Sequence, residues 1–168
     1  IIITSFMIIQ IKNKNTLIFD DFTLKCCVGK KGLNSNKKEG DFSTPTGLYK
    51  LQKLYYRKDR VGTPHCKLKK KVITKNIAWC DDPHDKNYNK EINFFNKKHK
   101  ENFYRKDSRY DYLITINHNK KRIPYKGSAI FIHITNSYMP TAGCIALKKK
   151  DFLIMLKIID KNTKIKIG

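Results

Sequence analysis

The stretch Gly127–Leu147, GSAIFIHITNSYMPTAGCIAL, limits the possible folds more than any other segment. Side chains alternate between the two faces of a strand. Ile130, Ile132 and Ile134 therefore share one face of the first apolar run, while Ala129, Phe131 and His133 share the other. A second apolar run, CIAL, places Cys144 and Ala146 on a common face. If the two runs are neighbours in one sheet, His133 and Cys144 meet on the same side, under the loop ITNSYMPTAG. Pro140 stiffens that loop, and Gly143 permits a backbone conformation closed to other residues. A thiol becomes a strong nucleophile when an imidazole takes its proton, so the pattern points to acyl transfer through a cysteine. It equally fits an ordinary strand histidine and a small core cysteine.

The remaining segments predict a mainly β fold. Apolar runs between Ile8 and Val28, separated by KNKN and DD, read as strands. Gly29–Gly47 contains KKEGDFSTPTG, whose Gly40, Pro45 and Gly47 make turns rather than a helix. LYKLQKLYY, YDYLITIN and TKIKIG read as further strands. Val61–Arg109 reads as long, polar and irregular, with a short helix at KKHKENFYR. One amphipathic helix is expected near the end, in KKKDFLIMLKIIDKN, because Phe152, Met155, Leu156 and Ile159 fall at i, i+3, i+4 and i+7.

With 168 residues the chain fits one domain, spanning 1–168. A hydrophobic content of 40% argues for a folded globule rather than a disordered chain. The net charge of +22 predicts attraction to polyanions. Its lysines are scattered and accompany abundant Asn and Ile, as AT-rich coding produces, so much of it is also readable as solvated surface. Five cysteines in an irregular pattern, with Cys26 and Cys27 adjacent, argue against a disulfide framework. Cys80 and His84 have no second pair of ligands nearby, so no metal site is expected. No stretch reaches the roughly 18 apolar residues of a membrane span. The opening IIITSFMIIQ lacks a basic segment and a cleavage site and reads as a first strand, not a signal peptide. A processed start remains open, because the first residue is Ile. YYRKDR and KNKKHKENFYRK mix aromatic and basic residues, but no recognised nucleic-acid motif accompanies them.

GSAIFIH followed by PTAGCIAL resembles the catalytic stretch of the L,D-transpeptidase (YkuD-type) family, in a branch with PTAGC in place of SHGC. Three further segments resemble the family in its order: VGKKGLNSNKKEGDFSTPTGLYKL, WCDDPHDKNYN and ENFYRKDSRYDYLITINHN. The likeness is strongest over residues 28–156. It implies a β-sandwich-type catalytic domain with a C-terminal amphipathic helix, in which Cys144 is the nucleophile and His133 its base. It also implies that Gly143 and the Cys144 amide line an oxyanion pocket. Where many relatives carry a histidine before the glycine and an arginine or asparagine two residues after the cysteine, this chain has Ala142 and Ala146. Thr141 and Tyr138 are the candidates to replace those contacts.

The implied substrates are peptidoglycan stem peptides, as donor and acceptor, with a thioester intermediate, release of D-alanine and a 3–3 crosslink. Hydrolysis of the same bond, as an L,D-carboxypeptidase, is the alternative, and a non-catalytic basic module for wall polymer or nucleic acid is a third reading. No metal or organic cofactor is required, and no specific nucleic-acid partner is expected. A monomer is expected, and the resemblance implies the periplasm or cell envelope, while the lack of a visible signal leaves the cytoplasm open. Asp41, Thr44 and Pro45 are expected to shape a turn beside the site. Trp79, Asp81, Asp82, Tyr88 and Asn89 either line a groove or latch a loop, and His118 is expected to be exposed. An imidazolium beside the thiolate is expected to lower the cysteine pKa.

Overall fold

A computed structural model describes residues 6–93 and 100–168 of the chain. It is mainly β. Strands β1 (Ile8–Ile11), β2 (Thr16–Phe19) and β3 (Phe22–Cys27) form an antiparallel meander, whose second turn uses Asp20 at φ +49. Aspartate tolerates that left-handed conformation, which a two-residue hairpin turn requires. Two short strands follow, β4 (Leu33–Asn34) and β5 (Thr44–Pro45), then the ten-residue β6 (Gly47–Tyr56) and a single helical turn, α1 (Lys58–Val61). Next come β7 (Lys69–Val72), β8 (Ile77–Cys80), β9 (Lys90–Asn93), β10 (Lys100–Asn102), β11 (Tyr112–Ile116) and β12 (Phe131–Ile134). The chain finishes with β13 (Ile145–Leu147), helix α2 (Lys149–Ile158) and β14 (Lys164–Ile167).

Nine strands make one sheet in the order β11-β12-β13-β3-β2-β1-β14-β6-β7, and a further pairing of β6 with β11 closes it on itself. The long β6 makes closure possible, because Gly47–Lys50 pair with β14 while Leu51–Tyr56 pair with β11. The interior holds one apolar core. Ile9, Ile11, Leu17 and Phe19 meet Leu54, Ile114, Ile132, Ile145 and Leu147 there. Helix α2 closes it with Phe152, Met155 and Leu156, and Ile159 is buried just beyond its end. Ten residues are too few for a stable isolated helix, so this packing holds it. Each fully buried side chain of that size contributes about 1.5–3 kcal/mol.

A second apolar cluster lies on the outer face. Tyr55, Leu113 and Phe131 point away from the core and are covered by Ile73, Ile77, Phe103 and Tyr110. All of this cover but Tyr110 belongs to Val61–Arg109, expected to be irregular, which instead contains β7 and the three-stranded sheet β10-β8-β9. These strands are short, and all but the apolar β8 are rich in lysine or polar residues, so the sequence lacks the alternation that marks a half-buried strand. Residues 94–99 lie outside the described set. The helix expected in that region is replaced at its described part by strand β10. Among the described residues, no helix is long and apolar enough to cross a membrane.

Candidate active site

Strands β12 and β13 are parallel neighbours, with Ile132 opposite Ile145 and His133 opposite Ala146. Cys144 thus stands at the mouth of β13, beside Phe131, on the face that also carries His133. The alternation in the sequence is realised: Ile130, Ile132 and Ile134 enter the core, while Phe131 and Cys144 join the outer cluster. His133 and Cys144 both line one cavity of about 400 Å³. The ring of Tyr110 meets His133 edge-on, with centroids 5.3 Å apart.

The hydrogen bonds define the resting state. His133 Nδ1 lies 2.9 Å from the Ile134 carbonyl, which only accepts, so Nδ1 carries the proton and Nε2 is free to take another. The Cys144 thiol donates to the Ala129 carbonyl at 3.3 Å and accepts from the Phe131 N–H at 3.3 Å. Among the described residues no hydrogen bond joins thiol and imidazole. Burial pushes the Cys144 thiol up to about 12, and the Phe131 N–H offsets this only in part. Burial also pushes the His133 imidazole down to about 4, aided by the nearby Arg109 and Arg105. The expected thiolate–imidazolium pair is therefore replaced at rest by two neutral groups, because burial is the largest influence on each.

The loop before the nucleophile is fixed from both sides. Thr141 Oγ1 donates to the Cys144 carbonyl at 2.6 Å and accepts from the Gly143 N–H at 3.1 Å. This occupies one amide expected to face an oxyanion, whereas the Cys144 amide has no acceptor among the described residues. Gly143 has φ +152, and a Cβ there would lie 2.9 Å from the Ser43 carbonyl oxygen. Thr141 and Gly143 line the cavity. Tyr138 does not: its ring lies under the Lys25 and Lys148 ammonium groups, at 4.8 and 5.6 Å.

The supporting turns explain the other motifs. Asp41 accepts from the Lys38 and Ser43 N–H groups, at 2.8 and 2.9 Å, and pairs with the buried Lys37. These bonds hold its carboxyl well below the usual range despite partial burial. Thr44 accepts from the Gly29 N–H and donates to the Gly143 carbonyl. Trp79 Nε1 donates to Asn89 Oδ1 at 2.8 Å, and Asn89 Nδ2 donates to the carbonyls of His118 and Asn119. The same Asn89 oxygen accepts from the Ala129 N–H at 3.2 Å. Trp79 and Asn89 are thus a latch between three segments. His118 is half-buried rather than exposed, with its imidazole edge-on to Tyr49.

The basic YYRKDR segment is occupied within the fold. Arg57 is buried against Asp59 and stacks on Tyr104, while Arg60 grips Asp111 and the carbonyls of residues 105–107. Sequence reasoning missed Lys37, Arg105 and Arg109, which line the cavity. Arg105 and Arg109 share the segment before β11 while Lys37 comes from a distant loop, and no motif marks the three together.

Comparison with known proteins agrees with this architecture. The profile of the YkuD family, described as the L,D-transpeptidase catalytic domain, matches residues 4–167. The helical cell shape determining protein Pgp2 of Campylobacter jejuni is 16% identical with a TM-score of 0.50, covering 97% of this chain and 46% of that one. A single-substitution variant of Pgp2 gives 17% identity and a TM-score of 0.51, over 97% and 47%. Bd1075 of Bdellovibrio bacteriovorus is 15% identical with a TM-score of 0.49, over 98% and 48%. The chain therefore spans about half the length of these solved structures. No curated protein matches it. By its matched span and its fold, the chain belongs to the YkuD family of L,D-transpeptidase catalytic domains.

Proposed function

We propose that this domain is a cysteine acyltransferase acting on peptidoglycan stem peptides in the cell envelope, with Cys144 as nucleophile and His133 as its base. The observation that carries the reading is the convergence of both side chains on one cavity from neighbouring parallel strands. The thiol turns from the Ala129 carbonyl toward His133 Nε2, which accepts its proton as sulfur attacks the donor carbonyl. Because the resting pair is neutral, charge separates only during attack. The Cys144 N–H, left without an acceptor, suits a developing oxyanion. His133 returns its proton to the departing amine, D-alanine leaves and a thioester remains. Attack by an amine of a second stem gives a 3–3 crosslink, and attack by water gives carboxypeptidase action.

A carbapenem, an acylating mimic of the donor, tests the nucleophile. Intact mass is expected to show one covalent adduct on the wild-type protein and none on Cys144→Ala. A wild-type protein without an adduct would sink the enzymatic reading. A disaccharide-tetrapeptide then separates the two outcomes: crosslinked dimer marks transfer, and tripeptide alone marks hydrolysis.

A further inference from the structure

The charged groups around the cavity are nearly all engaged. Lys37 is paired with Asp41 and donates to the Lys38 carbonyl. Glu39 accepts from the Tyr88 hydroxyl. Glu101 accepts from the Tyr110 hydroxyl and pairs with Arg105, which also pairs with Asp107. Asp81 is engaged as well. Arg109 lines the same cavity, is exposed, and forms no ion pair among the described residues. A guanidinium cannot lose its charge near neutral pH and presents a planar fork that matches a carboxylate.

Its position is tied to the base. The Arg109 carbonyl accepts from the Ile134 N–H at 3.3 Å, one residue beyond His133. Across the sheet His133 is flanked by Leu113 and Ala146, and Cys27 lies beyond Ala146, so none of these neighbours carries a charged side chain there. Arg109 thus reaches the cavity from the residue bonded to the neighbour of His133, and its charge acts on His133. Lys37, the other cavity cation near the nucleophile loop, lies close to Gly143 and is already paired.

We infer that Arg109 binds the free α-carboxylate of the departing D-amino acid, making it a specificity-determining residue for donors with an unblocked C-terminus. This rests on the proposed acyl transfer. In that reaction His133 protonates the leaving amine, and the leaving carboxylate sits one carbon from it. A cation beside the base therefore meets the carboxylate when the scissile bond lies over Cys144. The same contact orients the amine for protonation.

The test uses two disaccharide-tetrapeptides, one ending in D-alanine and one in D-alanine amide, with release of the terminal residue followed for each. Wild-type protein is expected to favour the free acid by about 10–100-fold in kcat/KM, the range for a hydrogen-bonded charge. Arg109→Gln should lose most of that preference by slowing the acid far more than the amide, and Arg109→Lys should keep part of it. Thermal melting checks that each variant is folded. Retention of the wild-type preference by a folded Arg109→Gln would overturn the role of Arg109, as would a wild type that processes both donors equally. Failure of the wild type on both donors, and on the carbapenem, would overturn the acyl-transfer reading and this inference with it.

Discussion

The Thr44 hydroxyl donates to the carbonyl of Gly143, 99 residues further along the chain, at 2.7 Å. The same oxygen accepts from the Gly29 N–H at 2.8 Å, and Thr44 is fully buried. The threonine of the STPTG turn thus fixes the residue before the nucleophile. Thr44→Val keeps the shape and leaves two buried backbone groups unpaired. The expected cost is about 2–5 kcal/mol, or a fall of roughly 5–15 °C in Tm. Thr44→Ser, which keeps the hydroxyl, should recover most of it. Differential scanning calorimetry of both variants reads the difference.

Gly143 tolerates no side chain for two independent reasons. Its φ of +152 is strained for an L-residue, and an added Cβ would lie 2.9 Å from the Ser43 carbonyl oxygen and 3.1 Å from Ile130 Cδ1. The first contact is with backbone and cannot be relieved by a rotamer change. Gly143→Ala is expected to cost at least about 1–3 kcal/mol. It should also slow carbapenem acylation of the remaining folded protein, because relief of the contact shifts the Cys144 amide. Urea denaturation and acylation kinetics on the same sample separate the two effects.

The site's strands were legible because their alternation is strong: SAIFIHI sends isoleucines inward and Phe131 and His133 outward, as its period demands. Helix α2 was legible for the same reason, with Phe152, Met155 and Leu156 at helical spacing. What escaped was the outer cover. KKKV forms β7 because it pairs with β6, a tertiary fact, and its lysines suit an exposed strand rather than announce one. The protonation state of the dyad also escaped. Residue types suggest a reactive ion pair, but the apolar cover formed by Phe103, Phe131 and Tyr110 decides the desolvation. Tyr138 looked suited to substrate in sequence, yet Lys25 and Lys148 hold its ring elsewhere.

A neutral resting pair has a kinetic signature. With the Cys144 thiol pushed up to about 12, the thiolate fraction grows with pH throughout the alkaline range. Alkylation of Cys144 by iodoacetamide, followed by peptide mass mapping, should therefore keep accelerating beyond pH 9. A free thiol would level off above its pKa of about 8.5. A plateau below pH 7 would mean a preformed thiolate–imidazolium pair and a different first step.

Acid should begin to destabilise the protein before its paired carboxylates titrate. His133 and His118 both have imidazoles pushed down to about 4 in the folded state by burial, against an ordinary value of 6.5. Between those limits the unfolded chain binds protons that the folded one refuses, so stability rises with pH across the window. It is fully present above about pH 6.5 and is lost as the pH falls toward 4. For the well-buried His133 the full shift corresponds to on the order of 3 kcal/mol. His118 is only half-buried and should contribute less. Asp41, held low by its donors, loses its contribution only at still lower pH. Urea midpoints measured from pH 7 to pH 4.5 should therefore decline, and His133→Gln, which cannot titrate, should flatten most of that decline. An unchanged slope in the variant would show that His133 takes up its proton as readily in the folded protein as in the unfolded chain.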